Sequence, residues 1–287
     1  MTKKKFSFEL RKDPSQNKFI SEFTSEVCVV GLGTVGLPTA LHAAKYFSIV
    51  GYDTNLKAVD LCVSQGVLAT ENWLSIPLTD IYVVTVSTGI NEGNEPDVSA
   101  IYDVCGKIAE KEPEALVCIE STIPVGTSRT VAEKFGLKYV VHCPHRYWAG
   151  DSADHGVVQK RVLGALNEES MKKGECFYNK LKIPCCRVSS LEIAETSKIA
   201  ENAYRFVQIG FAEELKVICD TLGLPFDDVK AACNTKWNIE ILEARDGIHG
   251  HCLPKDIRYL AYLGKEAPLL MGAIEADKRY KRALNRR

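Results

Sequence analysis

The chain has 287 residues, with 36 lysines and arginines against 37 aspartates and glutamates, a length for one large or two medium domains and a balance that argues against nucleic acid or a membrane surface as the main partner. Eleven cysteines, an odd number, with no apolar leader behind Lys3 to Lys5, argue against a secreted disulfide framework and for thiols in a reducing, cytoplasmic setting. No run of about eighteen apolar residues occurs, so no membrane span is expected.

Residues 1 to about 25 are charged and irregular and read as a tail or an extra surface element. From Glu26 the apolar run to Val30 enters Gly31-Leu32-Gly33-Thr34-Val35-Gly36, followed by a helical pattern over Leu37 to Tyr46 and a second apolar run ending at Asp53. Strand, glycine turn, helix, strand and acid form a dinucleotide-binding unit: Gly31 makes the tight turn, Gly33 admits the pyrophosphate, and Gly36 packs helix on strand. Thr34 and Val35 complete the loop at a helix N-terminus, whose free N–H groups suit phosphates. Asp53 would accept the adenosine ribose hydroxyls, which favours NAD over NADP. Lys57 lies one helical turn further, either near the adenosine or simply exposed.

Further apolar runs at Asp80–Gly89, Ala115–Glu120, Tyr139–Cys143 and Arg161–Ala165, separated by helical segments, predict a parallel sheet covered on both faces. Ligands in such sheets sit at the carboxyl ends of the strands, which places Ser87, Thr88, Ser121, Thr122 and the Pro144-His145-Arg146 segment around a cofactor and substrate. Each hydroxyl could equally cap a helix or form a turn. The expected fold is therefore α/β: a Rossmann-like doubly wound domain over 26–189, then a helical domain over 190–287.

That second region opens on one long helix, Leu191 to about Leu222. Glu195, Lys198, Asn202 and Arg205 share one face of it, and such a polar stripe is most simply a wet surface. A second helical unit spans Asp227 to Asn234, and the segment from Asp256 onward reads as helical with a basic, solvated end (Lys278, Arg279, Lys281, Arg282, Arg286, Arg287). Between them lies Gly247-Ile248-His249-Gly250-His251-Cys252-Leu253-Pro254-Lys255-Asp256. Glycines permit close approach and cations favour the nucleophilic form of a thiol, so Cys252 is a candidate nucleophile, with a buried packing cysteine as the plain alternative. The adjacent pair Cys185-Cys186 lacks metal-ligand spacing, and no metal site is expected.

Five stretches together, Val30 to Pro38, Glu120 to Thr127, Cys143-Pro144-His145-Arg146, Glu195-x-x-Lys198-x-x-Glu201-Asn202-x-x-Arg205 and Gly250 to Asp256, resemble the nucleotide-sugar 6-dehydrogenases in motif and order. The helix motif and the Cys143 segment look most like the N-acetylhexosamine branch. The resemblance implies NAD-dependent oxidation of a nucleotide-sugar alcohol to the acid, as in polysaccharide precursor synthesis. Cys252 would capture the aldehyde as a thiohemiacetal and then a thioester, Lys198 and Asn202 would stabilise the oxyanion, and Thr122 and Asp256 would hold the hydrolytic water. It adds Lys255 and Thr122 to the cofactor side, places Arg146, Lys198, Asn202, Arg205, His249 and Gly250 on the substrate, and implies a homodimer through the long helix.

The resemblance departs in three places. His145 stands where the family has an acid, so an imidazole near its ordinary pKa would serve as the hydrolytic base, or hydrolysis would be lost. Val86-Ser87-Thr88-Gly89 replaces a segment usually rich in proline. The family's second α/β domain has no counterpart before Arg287, so another subunit, the basic terminal segment or a smaller substrate would complete the nucleotide half of the site. A two-electron dehydrogenase of a smaller hydroxy compound, or a non-catalytic binding relative, are the alternative readings.

Overall fold

A computed structural model of the chain describes residues 25–93, 95–151, 155–264 and 266–285. The tail expected over 1–25 falls almost wholly outside the described residues, as do Arg286 and Arg287. The first strand, β1 (Val27–Val30), shows why the sheet forms where it does. All four side chains are fully buried, and period-2 alternation sends Val27 and Val29 to one apolar cluster and Cys28 and Val30 to the other. Burying each valine contributes about 1.5–3 kcal/mol.

The chain then runs through α1 (Gly36–Ala43), β2 (Ile49–Tyr52), α2 (Leu56–Ser64), β3 (Leu68–Thr70), β4 (Ile81–Val84), a hairpin β5–β6 (Gly89–Ile90, Pro96–Asp97), α3 (Ser99–Lys111), β7 (Leu116–Ile119), α4 (Thr127–Phe135), β8 (Tyr139–His142), β9 (Arg161–Ala165), α5 (Glu168–Lys180) and β10 (Cys185–Arg187). The eight-stranded sheet has the order β10-β9-β8-β7-β4-β1-β2-β3. Its pairs are parallel apart from β8 with β9. The chain leaves β1 toward β2 and β3, then returns to β4 on the other side, so the crevice beyond β1 and β4 is the topological switch point where ligands bind.

The predicted strand Asp80–Gly89 is shorter in the structure. The pairing with β1 ends at Thr85, whose N–H still donates to the Val30 carbonyl at 2.8 Å while its hydroxyl donates to the carbonyls of Gly31 (2.7 Å) and Val30 (3.1 Å). The short strands β3, β10 and the β5–β6 hairpin have too few residues to display a period.

Helical structure continues with α6 (Leu191–Leu222), α7 (Phe226–Cys233), α8 (Cys252–Leu263) and α9 (Pro268–Leu284). Ser190 caps α6, its hydroxyl accepting the Ile193 N–H at 3.2 Å, and Gly223 closes it at φ +68°. The segment expected to be helical from Asp256 onward consists of two helices. Gly264 turns extended and Pro268 at the start of α9 cannot continue the preceding helix. Phe206, Ile248, Ile257, Ala273 and Ile274 form the core between α6, α8 and α9. Among the described residues no helix is long and apolar enough to cross a membrane, and no group of three metal-ligating side chains occurs.

Glu213 on α6 is fully buried against α9 with neither carboxylate oxygen hydrogen-bonded. Burial, reinforced by Asp277, pushes its pKa from the ordinary 4.5 up to about 7. The folded chain therefore keeps a proton that the unfolded chain releases, and stability declines as pH rises from about 4.5 to about 7. Glu213→Gln removes this titration. It is expected to raise Tm relative to the unsubstituted protein above pH 7 while changing it little at pH 5, and equal shifts at both pH values in a thermal melt would contradict the assignment.

Candidate active site

The glycine turn lies at the switch point and has the shape of a dinucleotide cradle. Gly31 has φ +93°, and a Cβ at Gly36 would lie 1.7 Å from the Gly31 carbonyl oxygen, so both positions admit only glycine. A Cβ at Gly33 would meet nothing within 4 Å, which leaves that side of the turn, with exposed Thr34 and half-buried Val35 at the start of α1, open to a pyrophosphate. Asp53, just past the end of β2, accepts the Leu32 N–H at 2.6 Å and the Asn55 N–H at 2.8 Å. Its carboxylate is thereby fixed beside the turn with lone pairs left for ribose hydroxyls. Lys57 is exposed in the first turn of α2. The residues present fit a dinucleotide.

On the other side of the crevice, Thr88 donates to the Thr122 carbonyl at 2.7 Å and Ser121 to the Val86 carbonyl at 2.7 Å, which ties the loops after β4 and β7 together. Ser87 is exposed and Thr122 half-buried. Tyr259, a residue the sequence did not single out, donates to the Gly89 carbonyl at 2.6 Å and joins α8 to this rim. Its place one turn after Asp256 on a helix was the available signal.

The polar stripe of α6 is not a uniform wet surface. Glu195 is buried and accepts the backbone N–H groups of Gly126 (2.6 Å) and Ser128 (2.8 Å), capping α4. Asn202 donates to Asp256 Oδ2 at 2.5 Å, and Lys255 Nζ lies 2.7 Å from Asp256 Oδ1 and 4.2 Å from the centre of the Tyr259 ring. Asp256 is fully buried and Lys255 nearly so, which places both behind the surface rather than on it. Burial lowers the pKa of Lys198, against the opposing pull of Asp256, Glu201 and Cys252. Cys252, near enough to influence Lys198, is exposed in the first turn of α8.

Arg146 points elsewhere than expected for a residue free to hold substrate. Its Nε donates to Glu201 at 3.1 Å, a second nitrogen joins the same carboxylate, and NH1 donates to the Lys160 carbonyl at 2.7 Å. The fork fastens the segment after β8 to α6. Arg205, His249 and Gly250 are exposed, with His249 Nε2 2.9 Å from the Asp246 carbonyl and Gly250 at φ +85°.

His145, the expected base, faces into the protein. Its Nε2 contacts Glu120 Oε2 and lies 3.0 Å from Thr39 Oγ1, while Nδ1 is buried without a partner. Thr39 in turn donates to the Val35 carbonyl at 2.9 Å, so the arrangement fits a neutral ring with its proton on Nε2. Burial, with Arg161 adding to it, lowers the His145 pKa to about 4, not the near-neutral value expected of a base, and neither nitrogen opens onto the crevice. Burial alone would raise the Glu120 carboxyl, yet Arg161 at 3.1 Å and His145 hold it down at about 2, and Tyr178 donates to its other oxygen at 2.8 Å. This buried cluster, which the sequence did not reveal, anchors the Ser121-Thr122 loop from below.

Two sequence profiles of one family match in tandem. The NAD binding domain of the UDP-glucose/GDP-mannose dehydrogenase family matches residues 68–182, and its central domain matches residues 192–280. A UDP-N-acetyl-D-mannosamine dehydrogenase of Methanococcus vannielii is 28% identical over 277 residues, covering 88% of this chain and 65% of that protein. An NDP-N-acetyl-D-galactosaminuronic acid dehydrogenase of Ralstonia nicotianae is 28% identical over 85% of this chain and 66% of its own length. The structure of UDP-D-ManNAc dehydrogenase from Pyrococcus horikoshii superposes with a TM-score of 0.81 at 28% identity, over 89% of this chain and 68% of that one. The chain thus spans about 65% of the length of the first of these relatives. With both family domains matched in order and the fold shared, the chain belongs to the UDP-glucose/GDP-mannose dehydrogenase family.

Proposed function

We propose that the chain carries the cofactor and reaction end of an NAD-dependent nucleotide-sugar dehydrogenase that works in the cytoplasm and oxidises the C6 alcohol of a UDP-hexose or UDP-N-acetylhexosamine to the acid. The observation that carries this reading is the convergence of Lys198, Asn202, Asp256 and Cys252 beside a cradle that fits a dinucleotide. Bound NAD supplies the hydride acceptor for each oxidation.

The remaining work falls to side chains. Cys252 Sγ adds to the aldehyde carbon, making a thiohemiacetal whose oxygen is stabilised by Lys198 and the Asn202 amide. Loss of hydride leaves a thioester, and water releases the acid and the free thiol. Asp256 orients Asn202 through its carboxylate and is itself neutralised by Lys255, and Thr122 lines the approach from the β7 side. His145 holds the Thr122 loop through Glu120 instead of taking the water's proton.

A homodimer through α6 accompanies this reading. Tyr204, Phe211, Ile218 and Leu222 are exposed on α6 at spacings of seven, seven and four, an apolar seam suited to a second copy of the helix. Phe211→Lys is expected to convert a dimer to a monomer in sedimentation, and an unchanged mass would remove α6 from the interface.

The test of the reading is NADH formation from NAD and each of UDP-glucose, UDP-N-acetylglucosamine and UDP-N-acetylmannosamine. Turnover on at least one is expected. NAD binding without turnover on any of them would instead favour a non-catalytic relative.

A further inference from the structure

The backbone that leads into Cys252 is gripped by one face of α9. Asp277 Oδ1 accepts the Ile248 N–H at 2.8 Å, and Lys281 Nζ donates to the Ile248 carbonyl at 2.6 Å while reaching Asp277 Oδ2 at 3.0 Å. Both backbone groups of one residue therefore end on a single carboxylate–ammonium pair, one helical turn apart on α9. Next to them, Tyr280 donates to the Arg245 carbonyl at 2.6 Å. Gly247, at φ +105°, lies against the Lys281 methylenes so closely that a Cβ would come within 2.6 Å of Cγ. The Ile248 side chain is buried in the core shared by α6, α8 and α9. Four residues later Cys252 opens α8.

We infer that Asp277 and Lys281 are positioning residues for Cys252: by clamping Ile248 they hold the glycine-rich loop so that the thiol sits in the first turn of α8, beside Lys198. Neither touches the reacting atoms. Their contribution to turnover rests on the dehydrogenase reading, whereas the clamp itself does not. Glu213 faces the same pair from α6, so the grip is built at the crossing of α6 and α9 and couples the loop to the long helix. The loop is otherwise rich in glycine and exposed side chains, with few means to fix its own conformation.

The test uses the full chain with Asp277→Ala, Lys281→Met and the conservative Lys281→Arg, which can still donate to both partners. Lys281→Met keeps the carboxylate and supplies the result if Asp277→Ala does not fold. Amide exchange over residues 245–252 is expected to quicken by about tenfold in the first two variants, because the opening is local. Alkylation of Cys252 by iodoacetamide is expected to change by about fivefold, since the loop that leads into the thiol is no longer held in one place. Exposed Cys176 and Cys186 serve as internal references and are expected to react as before. With nucleotide sugar, kcat falls by about tenfold at unchanged KM for NAD, and Lys281→Arg restores it. Unchanged exchange and labelling in a folded variant would overturn the inference, as would equal changes at all three cysteines, which mark general loosening. Absence of turnover in the unsubstituted protein would defeat the dehydrogenase reading alone, because exchange and labelling still decide the clamp.

Discussion

Cys252→Ala is expected to reduce acid formation from a nucleotide sugar by at least about 1000-fold while leaving NAD affinity within about twofold. Under the proposed route the thiol, exposed in the first turn of α8, holds the acyl carbon covalently between two oxidations. The cofactor cradle is built from different residues, the Gly31–Gly36 turn and Asp53, whose geometry depends on Leu32, Asn55 and Thr85 and not on α8. Cys252→Ser is the sharper form of the experiment. It keeps the volume and a hydroxyl but is a far weaker nucleophile, so it should behave like the alanine variant. Acid produced at the unsubstituted rate by either variant would eliminate the covalent route.

The second large effect is one of stability. Arg161→Met is expected to cost about 3–5 kcal/mol, because removing one partner of a buried ion pair strands the other. Arg161 is fully buried at the start of β9, with NH1 3.1 Å from Glu120 and NH2 donating to the Val157 carbonyl at 2.9 Å. Without it, the Glu120 carboxylate keeps Tyr178 and neutral His145 but no cation within the sheet. For a chain of this length the loss corresponds to a fall in Tm of about 10 °C. The double variant Glu120→Leu with Arg161→Met leaves no buried charge and is expected to recover much of that loss. A single variant that melts within 2 °C of the unsubstituted protein would show that the pair does not hold the site loops.

The strands of the dinucleotide half were legible because runs such as Val27 to Val30 are buried on both faces, and nothing but a covered sheet accommodates them. The long helix was legible as the change of pattern from Leu191 to about Leu222, and the structure caps it at Ser190 and closes it at Gly223. What escaped reading was where polar side chains turn. Glu195 shares a helix face with Lys198 and Asn202, but a neighbouring helix N-terminus offers it two N–H groups, and tertiary capture wins over solvent. His145 was visible as a residue type in place of an acid. Its direction was decided by Glu120 and Thr39, far away in sequence, and that direction turns a candidate base into a neutral strut. Arg146 likewise spends its fork on Glu201 and a carbonyl. Periodicity locates elements, whereas the partners of buried polar groups depend on contacts between elements that no local pattern records.

The most direct measurement is the amount of NADH formed per molecule of nucleotide sugar consumed, with NAD in excess and sugar limiting. Two per sugar, with the acid as product, is the result expected if Cys252 carries the substrate from the first oxidation to the second. One per sugar, with aldehyde or ketone released, would contradict the thioester route and assign the crevice to a simple two-electron oxidation.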